Sequence, residues 1–343
     1  MTQALDPRLG TVAPTSSTPR RRPGSIRRTS TFDSTRPNGL DREIVQVGRA
    51  RDLYTAADGS AVTVASARLD LTSEYTDGPI VQSIRLVPDA SGIDALIGRR
   101  ASTGFRAVID EAVDVRRGSL GYLLLDEIPA ATLVSGYAMA RAAQRDDVDI
   151  DRMKLQGTQP RLQVPDLCAG FRIGGTMEAS LDGRGLPPTL NGPVALSVVT
   201  PDDEWGWHEF APLPAHGMRR RRRLDVFGDA LVHVDVFFRD SHMDAEGVER
   251  AVHEYTVEVT VDRATMRVVT CEATPRVLPW VECPEAAASA GRLAGMPLAG
   301  LRPEVRARFV GPSTCTHLND VLRGLEDVEW LIHELEQGAD VDR

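Results

Sequence analysis

Alternating apolar and polar positions predict β-strands in two separate parts of the chain. The sequence A-V-T-V-A-S-A-R-L-D-L at 61–71 places apolar side chains at nearly every second position, and so does Y-T-V-E-V-T-V at 255–261. A period of two is typical of a strand, because successive side chains point to opposite faces. Both segments are therefore predicted to be strands.

Helical patterns follow each of these strand regions. Residues 119–144 are mostly apolar and predict a buried helix, with Pro129 close to its start or at a kink. After Cys315, apolar residues recur at steps of three and four along L-N-D-V-L-R-G-L-E-D-V-E-W-L-I-H-E-L. This second pattern predicts an amphipathic helix.

The two strand-and-helix regions also resemble each other in sequence. The segment L-V-P-D-A-S-G-I-D-A-L-I-G ends at Gly98, and E-C-P-E-A-A-A-S-A-G-R-L-A-G ends at Gly295; a Gly-apolar-Arg step follows both, at 104–106 and at 300–302. Repeats of this kind indicate duplicated structural units. We therefore predict an α+β fold, in which two copies of one strand-then-helix unit form an intramolecular pseudo-dimer.

This repeat divides the chain into five predicted segments. The first residues are rich in Pro, Ser, Thr and Arg without apolar periodicity, which is typical of disorder. Residues between the copies carry short apolar runs broken by Gly and Pro, which indicates turns and loops. The predicted segments are a disordered tail at 1–25, a first repeat at 26–145, a turn-rich insertion at 146–218, a second repeat at 219–335 and a tail at 336–343.

Charge and cysteine usage limit the classes of partner. The formal net charge of -9 argues against nucleic acid or an anionic membrane as the main partner, because both attract positive charge. No apolar run approaches the roughly 20 residues of a membrane helix. The basic residues near the amino terminus are not followed by an apolar segment, so an export signal is not expected. We therefore predict a cytoplasmic protein, whose four cysteines are more useful for metal binding or catalysis than for disulfides.

The second repeat carries polar residues that the first one lacks. In the sequence alignment of the copies, Cys283 lies opposite Val87, Cys315 opposite Tyr122 and His317 opposite Leu124. His253, in the predicted strand, supplies a fourth candidate. Two thiolates and two imidazoles are ligands that zinc prefers and ferrous iron accepts. We predict a zinc or iron site formed by His253, Cys283, Cys315 and His317; core cysteines beside a helix cap are the alternative.

Several motifs of the second repeat resemble a known family. P-W-V-E-C-P-E, L-A-G-M-P-L and C-T-H-L-N-D, together with R-R-T-S-T-F-D near the start, are similar to a bacterial family known as domain of unknown function 2889, over about 219–335. Its shorter members carry H-D-M, P-Y-x-x-C-P and G-C-T-H-L steps, where this chain has His253-Glu254, Trp280 and Thr314. The resemblance implies no activity. The order of elements is also similar to that of iron–sulfur cluster assembly scaffolds.

Three functional hypotheses follow from these residues. The first is a zinc- or iron-dependent enzyme acting on a small organic substrate, with Glu282 or Glu254 as general base. The second is a metal carrier, scaffold or structural-site protein whose four ligands close the metal shell. The third is a metal-free enzyme in which Cys315, at a helix start beside His317, acts as nucleophile. The run Arg219–Arg223 could bind phosphates, but partnership with nearby acidic residues or a solvated strand edge is the simpler interpretation, and the oligomeric state is left open.

Overall fold

Among the residues that the structure describes, nine strands join into one antiparallel sheet. The computed structural model describes residues 5–75, 78–144, 165–181 and 187–341. The strands are β1 (Thr11–Val12), β2 (Ser25–Thr35), β3 (Ile44–Thr55), β4 (Ala61–Tyr75), β5 (Pro79–Val87), β6 (Met218–Phe227), β7 (Leu231–Met243), β8 (Glu249–Asp262) and β9 (Arg267–Leu278). Their order across the sheet is β1-β9-β8-β7-β6-β2-β3-β4-β5.

Apart from the short edge strand β1, the sheet is built from two groups of four strands. Strands β2 to β5 pair with their sequence neighbours, and β6 to β9 do the same. The two groups meet where β2 pairs with β6, from Ser25 opposite Phe227 to Ser34 opposite Met218. The central strands of the sheet therefore come from different halves of the chain.

Helices follow each group of strands in the same order. The α-helices are α1 (Phe105–Ala112), α2 (Leu120–Gln144), α3 (Thr176–Ala179), α4 (Leu301–Arg308), α5 (Thr316–Gly324) and α6 (Val328–Val341). Short 3-10 helices occur at Ile93–Leu96, Ala169–Phe171, Cys283–Leu293 and Leu325–Asp327. The helix predicted at 119–144 is confirmed as α2, and the α+β class predicted from the sequence is observed.

Gly104 and Gly300 precede the two short helices α1 and α4. Their φ angles are 88° and 80°, in the left-handed region that residues other than glycine rarely adopt. The Gly-apolar-Arg steps noticed in the sequence therefore share a backbone conformation. Arg106 and Arg302, the last residues of these steps, both reach the carboxylate of Asp126 in α2.

Two apolar clusters fill the space between the helices and one face of the sheet. The first-half cluster includes Leu69 in β4, Leu86 in β5 and Leu124 in α2. The second-half cluster includes Val257 in β8 and Leu318 in α5. Burying this apolar surface stabilises the fold by roughly 25 cal/mol per Å².

The opposite face of the sheet is covered by the amino-terminal segment and by residues of the 187–217 region. The backbone N–H of Thr15 donates to Glu254 Oε1 at 2.6 Å, and Trp207 Nε1 donates to Thr18 Oγ1 at 2.8 Å. Arg21 pairs with Asp203 at 2.9 Å. In addition, β1 pairs with β9. The predicted disordered tail at 1–25 is therefore wrong for the residues that make these bonds, because the segment obtains partners from the sheet instead of forming a core of its own.

The arginine run of β6 lies in the middle of the sheet, where all five side chains are buried. Arg219 pairs with Asp33 at 2.6 Å and Arg222 with Glu127 at 2.7 Å. Arg220, Arg221 and Arg223 also bind carboxylates. Buried charges are costly unless they are paired, so this run is explained by internal acidic partners and is neither a phosphate site nor a solvated edge.

The described parts of the insertion and of the carboxyl terminus complete the fold. Residues 165–181 and 187–217 consist mainly of turns and irregular backbone, as the Gly- and Pro-rich sequence predicts. The segment 336–343, predicted to be a tail, instead continues α6 as far as Val341. No helix in the described ranges combines the length and apolar character needed to span a bilayer.

Candidate functional site

The candidate site lies where β7, β8 and the first turn of α5 meet. Asp240 in β7 is directly opposite His253 in β8, and the pairing register shifts immediately after Asp240. Such a β-bulge re-aims the side chains beside it. Cys315 precedes α5 with extended backbone, so His317 lies in the first turn of that helix.

The two histidines of the predicted metal site are in direct contact. Their imidazole rings stack with centroids 3.5 Å apart and planes 14° from parallel. His317 Nε2 lies 3.8 Å from Asp240 Oδ2. One nitrogen or oxygen atom from each of Asp240, His253 and His317 lies within 4.8 Å of the others. The structure therefore brings together two imidazoles and one carboxylate.

His253 has an unsatisfied polar atom in this cluster. Its Nδ1 is buried and has no hydrogen-bond partner among the described residues. A buried nitrogen without a partner costs about 1–3 kcal/mol, so such atoms are rare in folded proteins. A bound ligand would give this nitrogen the partner that it lacks.

Arg220 fixes the carboxylate of the cluster. Arg220 Nε and Nη2 donate to the two oxygens of Asp240 at 2.9 and 3.0 Å. Its Nη1 reaches Glu127 at 2.9 Å and Asp320 at 2.6 Å. Two parallel hydrogen bonds of this kind set both the position and the plane of a carboxylate. Asp240 is therefore held rigidly beside the histidines.

Burial keeps both imidazoles neutral. It lowers the pKa of His253 well below the ordinary value, and the adjacent His317 adds to this effect. Burial, followed by the positive charge of Arg220, lowers the pKa of His317 to about 3. Neutral imidazole is the form that binds metal ions. The histidines therefore carry available lone pairs at neutral pH.

The predicted cysteine ligands form a neighbouring cluster. Tyr255, two positions beyond His253 in β8, has its hydroxyl near the Cys315 thiol, and Cys283 and Cys168 lie close to both. Two residues of strand span about 7 Å, so Tyr255 lies one step further along β8 than His253, on the same face of the sheet. The set of atoms within 4.8 Å of one another contains neither Cys283 nor Cys315. The four predicted ligands are thus near each other but do not form one Cys2His2 shell.

The thiols of this second cluster are poor nucleophiles. Cys315 and Cys283 are 4% and 5% exposed. Burial raises the pKa of Cys315, although the Tyr255 hydroxyl and the backbone N–H groups of Leu318 and His317 oppose this effect. Burial also raises the pKa of Cys283 well above its ordinary value. These thiols are protonated at neutral pH, which disfavours the metal-free enzyme.

The two glutamates predicted as general bases are engaged elsewhere. Glu254 is fully buried on the opposite face of the sheet, where Arg239 Nε donates to its Oε2 at 2.7 Å and Thr15 donates to Oε1. The role predicted for Glu254 is contradicted, because adjacent strand residues point to opposite faces. Glu282 Oε1 accepts hydrogen bonds from the backbone and hydroxyl of Thr176, at the start of α3. Its carboxylate therefore holds the insertion rather than the histidines.

Sequence reasoning missed three members of the two clusters. Asp240 lies in F-F-R-D-S-H, directly after an apolar strand pattern. An acidic residue at such a position could have been recognised as a candidate for the site. Tyr255 looked like an ordinary strand residue, and Cys168 belongs to the insertion. The backbone N–H of Ala169 donates to Thr314 O at 2.8 Å, which attaches the Cys168 segment to the residue before Cys315.

Comparison with known proteins yields one match. Residues 218–330 match the family model described as Protein of unknown function (DUF2889), which confirms the family resemblance noted in the sequence. Asp240, His253, Cys283, Cys315 and His317 all lie within the matched segment. No curated protein and no solved structure matches the chain. The similarity to iron–sulfur cluster assembly scaffolds is not supported.

Proposed function

We propose that the DUF2889 segment of this chain binds a zinc or ferrous ion through His253, His317 and Asp240, and that the ion serves an enzyme acting on a small organic substrate. The observation that carries the proposal is the buried, unpartnered Nδ1 of His253, close to a second neutral imidazole and a carboxylate. Two histidines and one carboxylate are a known ligand set for both metals.

Binding requires a small rearrangement of this cluster. Metal–nitrogen bonds of about 2.0–2.1 Å need both lone pairs to point at one centre. Rings stacked 14° from parallel direct their lone pairs side by side, so one imidazole must rotate. His317 is the candidate for this motion, because its side chain remains 20% exposed, whereas Asp240 is fixed by Arg220.

A three-ligand set supports catalysis more than a structural role. Structural zinc sites are closed by four protein ligands, whereas catalytic ones keep a position for water or substrate. A bound ion would polarise a carbonyl or lower the pKa of a coordinated water. In this chain Arg220 would orient Asp240, and the partly exposed His317 edge would face the substrate.

A closed metal-carrier or structural site is the second candidate. The thiols of Cys283 and Cys315 lie close to each other, Cys315 is two residues before His317, and both cysteines belong to the same family segment. If they joined His253 and His317 around the ion, the shell would be the Cys2His2 set predicted from the sequence. The two candidates differ in whether sulfur atoms contact the metal.

We also propose that the two halves are copies related by an intramolecular two-fold axis between β2 and β6. Arg28 binds Asp52 through two hydrogen bonds of 2.7 Å, as Arg220 binds Asp240. The register of β3 and β4 shifts immediately after Asp52, as that of β7 and β8 does after Asp240. In this correspondence Ala65, which pairs with Asp52, takes the place of His253.

The backbone pattern supports a revised match for Cys315. Leu123 N donates to Ser119 O at 3.0 Å, and Asn319 N donates to Cys315 O at 2.8 Å, each in the first turn of its helix. Ser119 then corresponds to Cys315, three residues before the Tyr122 of the sequence alignment. The first half would keep the arginine–aspartate pair and lack the imidazoles. The pair would then stabilise the fold in both halves, and the histidines would bind the metal in the second half.

Metal content of the full-length protein tests the proposed function. The protein is loaded with Zn²⁺, or with Fe²⁺ under anaerobic conditions, then desalted and analysed by elemental mass spectrometry. We expect about one ion per chain in the wild type and a loss of at least tenfold in metal affinity for His317→Ala, because a ligand is removed. His333→Ala, which removes an exposed histidine of α6, is the matched control.

Two further measurements separate the outcomes. Circular dichroism shows whether His317→Ala is folded, and Cys315→Ser reports on sulfur ligation. Full metal binding by Cys315→Ser supports the His253–His317–Asp240 set, whereas its loss supports the closed Cys2His2 shell. Wild-type protein that retains neither metal would refute both candidates.

A further inference from the structure

A cavity over the strands of the first half is lined by several arginines. It has a volume of about 270 Å³ and lies over β3 and β4 on the face of the sheet away from the helices. Arg49, Arg51 and Arg68 line it, together with Ser66 and His208. Ala50, between the first two arginines, belongs to the core on the helical face, so the guanidinium groups project from the other face.

Two of these arginines, Arg49 and Arg51, form no ion pair within the described part of the chain. Arg68 donates to both oxygens of Asp70, at 2.6 and 2.8 Å, and this pair largely cancels. Arg51 donates from Nη2 to the Trp205 carbonyl, and its Nε is buried without a hydrogen-bond partner in the described structure. Arg49 lies beside it and is half-buried. Glu209 is the acidic residue of the lining, and it is exposed.

The pKa of the buried His208 is affected by the positive charge of the same arginines. Its ring nitrogens lie 2.9 Å from the hydroxyls of Thr29 and Thr31. Burial, followed by the charges of Arg51 and Arg49, lowers its pKa to about 3. His208 is therefore uncharged at neutral pH and does not change the charge that the arginines bring to the cavity.

We infer that this cavity binds a small organic anion, either a carboxylate or a phosphate monoester. Guanidinium groups hold both through paired, charge-assisted hydrogen bonds. The volume is slightly below the roughly 300–1,000 Å³ usual for small-molecule sites, which limits the ligand to a compact molecule. Val87 in the wall contacts its apolar part. This site is separate from the metal site proposed for the second half.

Isothermal titration calorimetry of the full-length protein tests the inference, with inorganic phosphate and butyrate as probes at constant ionic strength. We expect saturable binding of at least one probe, weakened about tenfold or more in Arg49→Ala. Arg49→Lys keeps the charge but not the planar fork and should give a smaller loss. Arg306→Ala, which removes an exposed arginine of α4, should bind like the wild type.

The ranking of the two probes identifies the chemical class of the ligand. Tighter binding of phosphate indicates a phosphate ester, and tighter binding of butyrate indicates a carboxylate. The inference is overturned if neither probe binds the wild type saturably. It is equally overturned if folded Arg49→Ala binds as tightly as the wild type, or if Arg306→Ala loses as much affinity as Arg49→Ala.

Discussion

At the scale of single residues, His208 is a buried histidine whose role is structural. It is 7% exposed and is held by the hydroxyls of Thr29 and Thr31. A folded-state pKa of about 3 contrasts with an ordinary value of about 6.5 in an unfolded chain. Between these two values the unfolded chain binds a proton that the folded protein does not. The free energy of unfolding must therefore fall as the pH falls from about 6.5 towards 3.

His208→Gln should remove this contribution to acid sensitivity. One proton corresponds to about 1.4 kcal/mol per pH unit, so between pH 7 and pH 5 the wild type should lose about 2 kcal/mol more stability than the variant. Urea unfolding at the two pH values measures this difference. Equal losses in both proteins would show that His208 does not cause the effect. The variant should itself be less stable at pH 7, by about 1 kcal/mol, if a threonine bond is lost.

The residues of the candidate site show which of its members sequence patterns can predict. His253 and His317 were predicted as ligands, and the structure stacks them. Asp240 was missed because its contact depends on the register of β7 against β8, which alternation alone does not determine. Cys283 and Cys315 were grouped with the histidines because the first copy lacks this set of residues. The group of possible ligand atoms within 4.8 Å of one another contains Asp240 and no cysteine.

At the scale of elements, the amino-terminal segment is the clearest difference between expectation and structure. Its composition predicts disorder, yet the Thr15 backbone donates to Glu254, and Arg239 Nη2 donates to the Thr15 carbonyl at 2.6 Å. Composition describes what a segment can bury on its own. It does not include bonds offered by a sheet far away in sequence. By contrast, the helix α2 could be predicted, because the apolar side chains that it buries all belong to one continuous segment.

Thr15→Pro should therefore destabilise the protein, although it changes a residue in a segment with the composition of a disordered tail. Proline lacks the N–H that reaches the buried carboxylate of Glu254, and loss of a hydrogen bond to a charged group costs about 1.5–3 kcal/mol. Thr15→Ala keeps the N–H and is the matched control. Thermal unfolding followed by circular dichroism compares them. Identical melting temperatures for the two variants would indicate that the segment is not attached in solution.

At the scale of the whole molecule, one buried network of charges crosses the boundary between the halves. Arg28 in β2 reaches Asp327, beyond α5, at 3.2 Å. Glu127 in α2 binds Arg220 and Arg222 of β6 at 2.9 and 2.7 Å. Each half therefore supplies carboxylates to arginines of the other. Since a buried charge without its partner is strongly destabilising, neither half is expected to unfold while the other remains intact.

Asp52→Ala tests this coupling from the first half. Asp52 and Arg28 are both 1% exposed, and removing the carboxylate should cost about 3 kcal/mol or more, because Asp327 is then the one carboxylate of the described residues that still pairs with Arg28. Asp70→Ala is the matched control: its bond to Arg68 has the same paired geometry but is 38–46% exposed, so the cost should stay below about 1 kcal/mol. The decisive measurement is amide hydrogen exchange in β8 and β9, which belong to the other half. If the network unites the molecule, Asp52→Ala lowers protection there as much as in β3 and β4. Loss of protection confined to β3 and β4 would mean that the two halves unfold independently.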